Sequence, residues 1–328
     1  MLTRRSMLIG ACAGVACAAS PGRARQARTV LTAADVHVDG YPTVEAVRWM
    51  GRRIEAQTGG RITLRMYHSG QLGRETDVVD LARFGALDIV RVSFAAVNNA
   101  FPPTQLFSLP YVFESAAHMR RVVDGPVGRE VRDAFSRRGL VGLAIYDAGA
   151  RSFYNTARAV STPGELAGLK LRVPPADIFI RLIRAFGANA TPLSYGEVYS
   201  ALQTRLIDGA ENNWRSFHSS RQFEVARHWA QTEHSYAPEA LLLSRRRFAG
   251  LDVRDQEIVL AAAAESVPYM RTLWDRTEAT SRAAAIAAGV QVTEVDRAAF
   301  ERAAAPVLRA CLQDADLARL YRAAREAA

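Results

Sequence analysis

Residues 60–93 alternate between strand and helix patterns at a spacing that strongly restricts the possible folds. Ile62, Leu64 and Met66 recur at every second position, as they would in a half-buried strand. Helical spacing follows over residues 74–84 and ends before Gly85, and LDIVRVS then predicts a second strand. A helix is also predicted over residues 41–57. Strand, helix and strand at this spacing form a βαβ unit, so we expect a parallel sheet.

A similar order of elements recurs further along the chain. LVGLAIY and GLKLRV predict strands, residues 176–186 predict a helix, and a capping box from Ser194 to Glu197 opens another helix. LIDGAEN predicts a further strand, and aligning Asp88 with Asp208 matches RFGALDIV to QTRLIDGA. From residue 252 the chain is Ala-rich and helical, with one interruption at 289–292. We therefore predict an α/β protein with two domains of one sheet each, joined by crossing segments.

The net charge of +9 does not indicate a nucleic-acid partner. Four arginines precede residue 26, and without them 38 basic residues (42 minus 4) face 33 acidic ones. The remaining arginines are spread among acidic residues and form no basic stripe with interleaved aromatics. We predict no nucleic-acid binding.

The N-terminus has the composition of a secretory signal peptide. A basic start at Arg4-Arg5 precedes an apolar run over residues 7–19, which is too short to span a bilayer. Arg4-Arg5 followed by SML resembles a twin-arginine export signal. We predict removal of residues 1–27 and a periplasmic location, with cleavage after Ala18, Ala24 or Ala27.

No pattern of a catalytic, cofactor or metal site is present in the sequence. It contains no G-x-S-x-G, no phosphate-binding loop and no H-E-x-x-H, and its histidines lack metal-site spacing. Only Cys311 lies outside the signal peptide, so no internal disulfide is expected and Cys311 is predicted to be a core residue. We predict no catalytic residue, no cofactor and no metal.

Polar and cationic residues do cluster where predicted strands end. Arg151 follows one strand and a turn, Arg172 lies at the end of GLKLRVPP, and ENNW (residues 211–214) follows a third strand. Ligands of open α/β sheets bind outside the carboxyl ends of strands. The planar donors of arginine match a carboxylate, whereas asparagine serves hydroxyls. These residues suit a small hydroxylated acid, although surface ion pairs are an alternative role for each arginine.

Ordered phrases in the chain resemble the periplasmic solute-binding proteins of tripartite ATP-independent periplasmic (TRAP) transporters, DctP type. The phrases are TGGRITLRMYHSGQLGRE, FSLPYVF, ELAGLKLRVPP, FGANATPLSYGEVYSALQT and DGAENN, and they cover roughly residues 30–310. The resemblance implies a two-lobed clamshell fold with a ligand cleft between the lobes. It implies capture of an organic acid, delivery to the TRAP membrane permease subunits and no catalysis. A monomer is expected.

The resemblance also implies domain limits and site residues. Residues 28–149 with about 238–270 would form lobe I, residues 150–237 lobe II, and about 252–328 helices that pack on both lobes. The carboxylate-gripping arginine falls on Arg172 and a second cleft arginine on Arg151. Further implied ligand-binding residues are Asn212, Tyr195, Glu75, Ser93 and His234.

Some phrases look more like the subgroup that binds sugar acids, such as uronates and aldonates. These are DVHVDGYPTVEAV, VRVS, ENNW and TEHSYAPE. They add these cleft candidates: Asp35, His37, Arg91, Asn213 and Trp214. A C4-dicarboxylate or 2-oxo acid remains an alternative, because Arg151 or Arg91 could supply a second carboxylate clamp.

Two readings from other functional classes also remain open. One is an exported hydrolase or lyase that uses Glu75 and His234, and the other is a ligand-sensing partner of a membrane receptor. Two positions depart from the family pattern. Arg205 stands where glycine is expected, so we expect a rearranged turn, and Arg215 replaces an expected proline at the rim of the cleft.

Overall fold

A computed structural model describes residues 28–327, so the predicted signal peptide lies outside the described residues. The strands within this range are β1 (Thr29–Ala34), β2 (Ile62–Tyr67), β3 (Ile89–Ser93), β4 (Leu140–Tyr146), β5 (Ala150–Asn155), β6 (Lys170–Val173), β7 (Asn189–Pro192), β8 (Gly209–Asn212), β9 (His228–Tyr236), β10 (Glu239–Ser244) and β11 (Gln291–Thr293). They form a first sheet in the order β2-β1-β3-β10-β4 and a second sheet in the order β11-β9-β5-β8-β6-β7.

The two sheets are built alike, as the aligned aspartates predicted. In the first sheet, β2, β1 and β3 are parallel and β10 is antiparallel to both β3 and β4. In the second sheet, β7, β6 and β8 are parallel and β5 is antiparallel to both β8 and β9. The predicted α/β class and parallel units are therefore confirmed, and each sheet also contains antiparallel strands.

Helices cover the sheets and connect their strands. The α-helices are α1 (Pro42–Gln57), α2 (Glu75–Phe84), α3 (Phe94–Val97), α4 (Ala116–Asp124), α5 (Pro126–Ala134), α6 (Asp177–Ala185), α7 (Val198–Gln203), α8 (Trp214–Ser219), α9 (Arg245–Ala249), α10 (Val253–Ala287), α11 (Arg297–Cys311) and α12 (Ala315–Glu326). Helix α2 ends where predicted because Gly85 takes a left-handed conformation, with φ 80°. In the part of the chain that the structure describes, no helix is long and apolar enough to cross a membrane.

The chain passes between the two sheets more than once. It leaves β4 for β5 through residues 147–149 and returns from β9 to β10 through residues 237–238. The 35-residue helix α10 packs on α1 beside the first sheet and on α8 beside the second. Cys311 is buried in the largest apolar cluster, as predicted for a core residue. The exact domain limits stay a prediction.

The turn after α7 keeps its shape although it lacks glycine. Arg205 has φ 58°, in the left-handed region, so the expectation of a rearranged turn was wrong. The carbonyl oxygen of Arg205 accepts a hydrogen bond of 3.0 Å from Nζ of Lys170, the exposed first residue of β6. Lys170 therefore holds a strained turn and is not merely a solvated strand residue.

Replacing Arg205 with glycine is expected to raise the free energy of unfolding by about 0.5–1 kcal/mol. The strain of a left-handed L-residue, about 1–2 kcal/mol, is only partly offset by the greater freedom of glycine in the unfolded chain. Urea denaturation measures the change. Arg205→Ala is the matched control, because alanine keeps the Cβ atom and should bring no gain. An equal gain in both variants would mean that the arginine side chain, and not the backbone, is the cause.

Candidate functional site

A small cavity of about 30 Å³ lies between the two sheets. Residues from β3, β10 and α2 line its first-sheet wall, and residues from β5, β6 and β8 line the opposite wall. Eight of the predicted residues line it: His37, Glu75, Arg91, Ser93, Arg151, Arg172, Tyr195 and Asn212. The remaining lining residues were not predicted: Val36, Ala95, Ala96, Pro174, Ser216 and Glu239.

Arg172 presents an unpaired guanidinium to this cavity. Its neighbours Leu171 and Val173 are buried on the other face of β6, so the alternation of the strand directs Arg172 to the cavity wall. Nε donates to the carbonyl oxygen of Leu193 at 2.8 Å, whereas Nη1 and Nη2 make no hydrogen bond within residues 28–327. The residue is only 3% exposed. Burial lowers the pKa of Arg172, and the Glu211 charge opposes that shift. Arginine stays protonated, so the cavity holds a cation that no carboxylate of the described residues contacts directly.

Arg151, on the neighbouring strand, is already paired. Its Nε and Nη2 donate to the carboxylate of Glu211 at 2.5 and 2.7 Å, and Nη1 donates to Oδ1 of Asn212 at 3.1 Å. Burial alone would lower the pKa of Arg151, but the Glu211 charge raises it. Burial opposes ionisation of Glu211, and Arg151 nevertheless lowers the pKa of that carboxyl to about 2. Arg151 is thus held in a buried ion pair with Glu211 and is not a free cation.

Asn212 offers a fixed donor beside these arginines. Its Oδ1 accepts from Arg151 and from the backbone N–H of Asn213 at 2.9 Å, which settles the orientation of the amide. Its Nδ2 makes no hydrogen bond with any described residue and can donate to a molecule in the cavity.

The first-sheet wall carries an acidic cluster around Arg91. Nη2 of Arg91 donates to Asp35, and Nη1 donates to Glu239 and Glu75. The distance from Nη1 to Oε1 of Glu75 is 3.1 Å. The same Oε1 accepts from the backbone N–H of Ser93 at 2.7 Å. Burial raises the pKa of Glu239 to about 7; the Arg91 charge opposes that rise and the Glu75 charge adds to it. One cation therefore serves three carboxyl groups, two of them lining this wall (Glu75 and Glu239) and one behind it (Asp35).

His37 adds an acceptor between the walls. Its Nδ1 lies 3.1 Å from Oδ1 of Asp35, and its ring stacks on Tyr41 at 3.7 Å and meets Tyr195 edge-on at 5.2 Å. A carboxylate at Nδ1 favours the Nδ1–H tautomer, which leaves Nε2 as an acceptor toward the cavity. Burial, together with the Arg91 charge, lowers the pKa of His37 to about 4.

Histidine NMR is expected to show His37 as a neutral Nδ1–H imidazole from pH 5 to pH 8. The reason is the lowered pKa of about 4, which keeps the folded-state ring unprotonated through this range. Long-range ¹⁵N–¹H correlation spectra identify the tautomer, and a His37→Asn sample assigns the signal. A ring that protonates between pH 6 and 7 would contradict the assigned acceptor role.

Four predicted site residues do not line the cavity. Asp35 lies behind His37 and also accepts from Thr43 at 2.6 Å, and His234 lies behind Glu211, with Nε2 3.4 Å from Oε2. Asn213 caps α8 by accepting from the N–H of Ser216 at 2.8 Å. Trp214 stacks on Trp229 at 3.7 Å in the core. Alternation explains Asn213, which follows Asn212 in extended conformation and points to the other side, whereas Trp214 already begins α8.

The two walls use equivalent positions with opposite charges. The side chains of Asp88 and Asp208 each accept from the backbone N–H of the neighbouring parallel strand at 2.8 Å. Three residues later, Arg91 and Glu211 occupy matching places on β3 and β8. Arg91 pairs with Glu239 on β10, whereas Glu211 pairs with Arg151 on the corresponding strand β5. The two halves of the internal repeat therefore contain equivalent ion pairs in which the acidic and the basic residue have exchanged positions.

Side chains connect the lobes on both sides of the cavity. Tyr41 Oη lies 2.9 Å from Oγ of Ser216, and Arg215 lies over the Tyr41 ring at 5.2 Å. Nη2 of Arg74 lies 3.5 Å from Oε1 of Glu197 at the wider mouth of the cavity. Arg215 does not line the cavity and so affects the rim through the contact with Tyr41.

Glu239 is the main residue that the sequence analysis missed. It lies in the phrase TEHSYAPE, which carried the subgroup resemblance, but no strand-end pattern marks it. It begins β10, and only the antiparallel pairing of β10 with β3 brings it beside Arg91.

Comparison with known proteins gives concordant matches. The profile of the family described as bacterial extracellular solute-binding protein, family 7 (DctP), matches residues 33–314. A solute-binding protein of Chromohalobacter salexigens is 35% identical over 281 residues, which cover 85% of this chain and 84% of the relative.

Solved structures of TRAP periplasmic solute-binding proteins match in fold. One from Bradyrhizobium sp. BTAi1, in complex with α/β-D-galacturonate, has a TM-score of 0.88 and 45% identity, and covers 90% of this chain and 99% of that one. One from Roseobacter denitrificans, with bound β-D-glucuronate, has a TM-score of 0.87 and 39% identity, and covers the same shares.

Proposed function

The chain belongs to bacterial extracellular solute-binding protein family 7, the DctP family, and from its cavity we propose that it binds a hexuronate. We further propose that it works in the periplasm as a monomer after export through residues 1–27, and that it delivers the sugar acid to a TRAP-type membrane permease.

The observation that carries the proposal is the free guanidinium of Arg172. A buried cation with two unused amino groups favours a planar anion that accepts two parallel hydrogen bonds, and a carboxylate has this shape. Binding between the two walls would remove water from the pair and strengthen it.

The remaining lining residues suit the hydroxyl groups of a sugar. Asn212 Nδ2 can donate, His37 Nε2 can accept, and carboxylate oxygens of the acidic cluster can accept from hydroxyls. Val36, Ala96 and Pro174 supply small apolar surfaces for the ring carbons. The bound uronates of the two solved relatives support the same ligand class.

A C4-dicarboxylate fits this cavity less well. The alternative required Arg151 or Arg91 as a second clamp, but Glu211 occupies Arg151 and three carboxyl groups surround Arg91. A 2-oxo acid would leave the hydroxyl partners unused. We therefore favour a sugar acid with one carboxylate.

Binding without turnover is part of the proposal. The hydrolase alternative needed Glu75 and His234 together, yet His234 lies behind Glu211 and does not line the cavity. Incubation of the protein with D-galacturonate, followed by NMR of the recovered sugar, is expected to return it unchanged. Appearance of a new product would favour the enzyme alternative.

A thermal-shift screen tests the ligand class. The panel contains D-galacturonate, D-glucuronate, succinate, pyruvate and sialic acid. At 100 times its dissociation constant a ligand stabilises the folded state by about 2.7 kcal/mol, which raises the melting temperature. We expect shifts with the uronates only. A shift with succinate or pyruvate alone would mean that the ligand is that acid and not a uronate. If no acid raises the melting temperature, the proposal is overturned.

A further inference from the structure

The cavity has walls of opposite electrostatic character. The second-sheet wall offers the unpaired Arg172 cation and the donor of Asn212. The first-sheet wall offers carboxyl groups, because Arg91 is a single cation among Asp35, Glu75 and Glu239. A carboxylate is therefore favoured at the second-sheet wall and opposed at the first-sheet wall.

Two oxygens of the acidic cluster are unused. Oε1 of Glu75 and Oε2 of Glu239 bind Arg91, whereas Oε2 of Glu75 and Oε1 of Glu239 make no hydrogen bond within residues 28–327. Both residues line the cavity. An oxygen of this kind accepts a hydrogen bond from a hydroxyl group but repels a second carboxylate.

We propose that Glu75 and Glu239 make the site selective against aldarates, the sugar diacids, and admit uronates, whose opposite end carries a hydroxyl group. This inference rests on the proposed function. A uronate held by Arg172 at its C6 carboxylate presents its C1 hydroxyl toward the acidic wall. In an aldarate C1 is also a carboxylate, so a second negative charge would be buried against Glu75 and Glu239.

The charge balance of the cavity supports this selectivity. The Arg151–Glu211 pair is neutral, and Arg172 supplies one positive charge that a single carboxylate neutralises. Arg91 does not compensate for a second carboxylate, because it already pairs with three carboxyl groups, those of Asp35, Glu75 and Glu239. Juxtaposing like charges in a desolvated interface costs several kcal/mol, which corresponds to at least about 100-fold in affinity.

Calorimetric titration with D-galacturonate and galactarate tests the proposal. The two acids share the configuration of their hydroxyl groups and differ at C1. We expect galacturonate to bind wild-type protein at least about 100-fold more tightly. At pH 8, above the pKa of about 7 for Glu239, Glu75→Gln and Glu239→Gln keep the side-chain shape and remove one charge each, and each should reduce this ratio at least tenfold.

Glu197→Gln is the matched control. Glu197 is an acidic residue at the mouth that does not line the cavity between the walls, so the ratio should not change. Thermal melting checks that each Gln variant folds; both keep two carboxyl groups beside Arg91.

The outcomes separate this inference from the proposed function. Equal binding of the two acids by wild-type protein would overturn the selectivity but leave uronate capture intact. A high ratio that neither Gln variant reduces would also overturn it, because the shape of the open-chain acid would then be the cause. Failure of wild-type protein to bind either acid would overturn the proposed function itself.

Discussion

Replacing Arg172 with alanine is expected to weaken uronate binding about 150-fold. The variant removes one partner of a buried, charge-assisted pair, which costs about 3 kcal/mol of binding free energy. No neighbour can take over, since the other two cavity arginines are bound to carboxylates. Isothermal titration with the best uronate of the screen measures the loss.

The control for this variant lies two residues earlier on the same strand. Lys170 faces the same side of β6 but is exposed and binds the Arg205 carbonyl oxygen, so Lys170→Ala should leave affinity within twofold. Arg172→Ala should change the stability of the unliganded protein little, because removal of a buried, unpaired charge offsets the lost hydrogen bond to the Leu193 carbonyl. A loss of affinity below fivefold would show that the carboxylate lies elsewhere.

Replacing Glu211 with alanine is expected to lower the free energy of unfolding by about 3–5 kcal/mol. The side chains of Glu211 and Arg151 are 0% and 5% exposed, and removal of one partner leaves the other as a buried, unpaired charge. Urea denaturation at pH 7 measures the loss. Because Arg151 lowers the pKa of Glu211, this stabilisation is fully present above pH 4.5 and disappears as the pH falls through about 2.

Two further variants test this explanation. Glu301→Ala removes an exposed partner of Arg297, and its effect should stay below about 0.5 kcal/mol. Replacing both Arg151 and Glu211 with methionine should recover most of the stability lost by Glu211→Ala, because no unpaired charge remains. If the double variant is less stable than the single one, hydrogen bonding in the pair outweighs its desolvation.

Local patterns were sufficient to predict the fold. Strand alternation in β2 and the glycine that ends α2 are properties of a few neighbouring residues, so the sequence alone indicates them. The resemblance to the family added the two-lobed arrangement. The turn at Arg205 was mispredicted, because surrounding structure can hold a non-glycine residue at positive φ.

The different roles of the three cavity arginines could not be predicted from the sequence. Arg151 and Arg172 follow the same kind of strand-end pattern, and Arg91 was a candidate only through the resemblance to the sugar-acid subgroup. Their difference arises from partners distant in sequence, since Glu239 lies 148 residues after Arg91 and Glu211 lies 60 residues after Arg151. Only the folded structure shows which arginine lacks a counter-ion.

Helix α10 has a mechanical consequence for any movement of the lobes. At 35 residues it extends about 52 Å, and it is attached to both lobes through its contacts with α1 and α8. Helices curve gently and resist sharp bending unless a proline interrupts them, as Pro268 does here. The helix thus resists translation of one lobe relative to the other along the helix axis. What remains is a tilt, in which bending of the helix is easiest at Pro268, where one backbone hydrogen bond of the helix is missing.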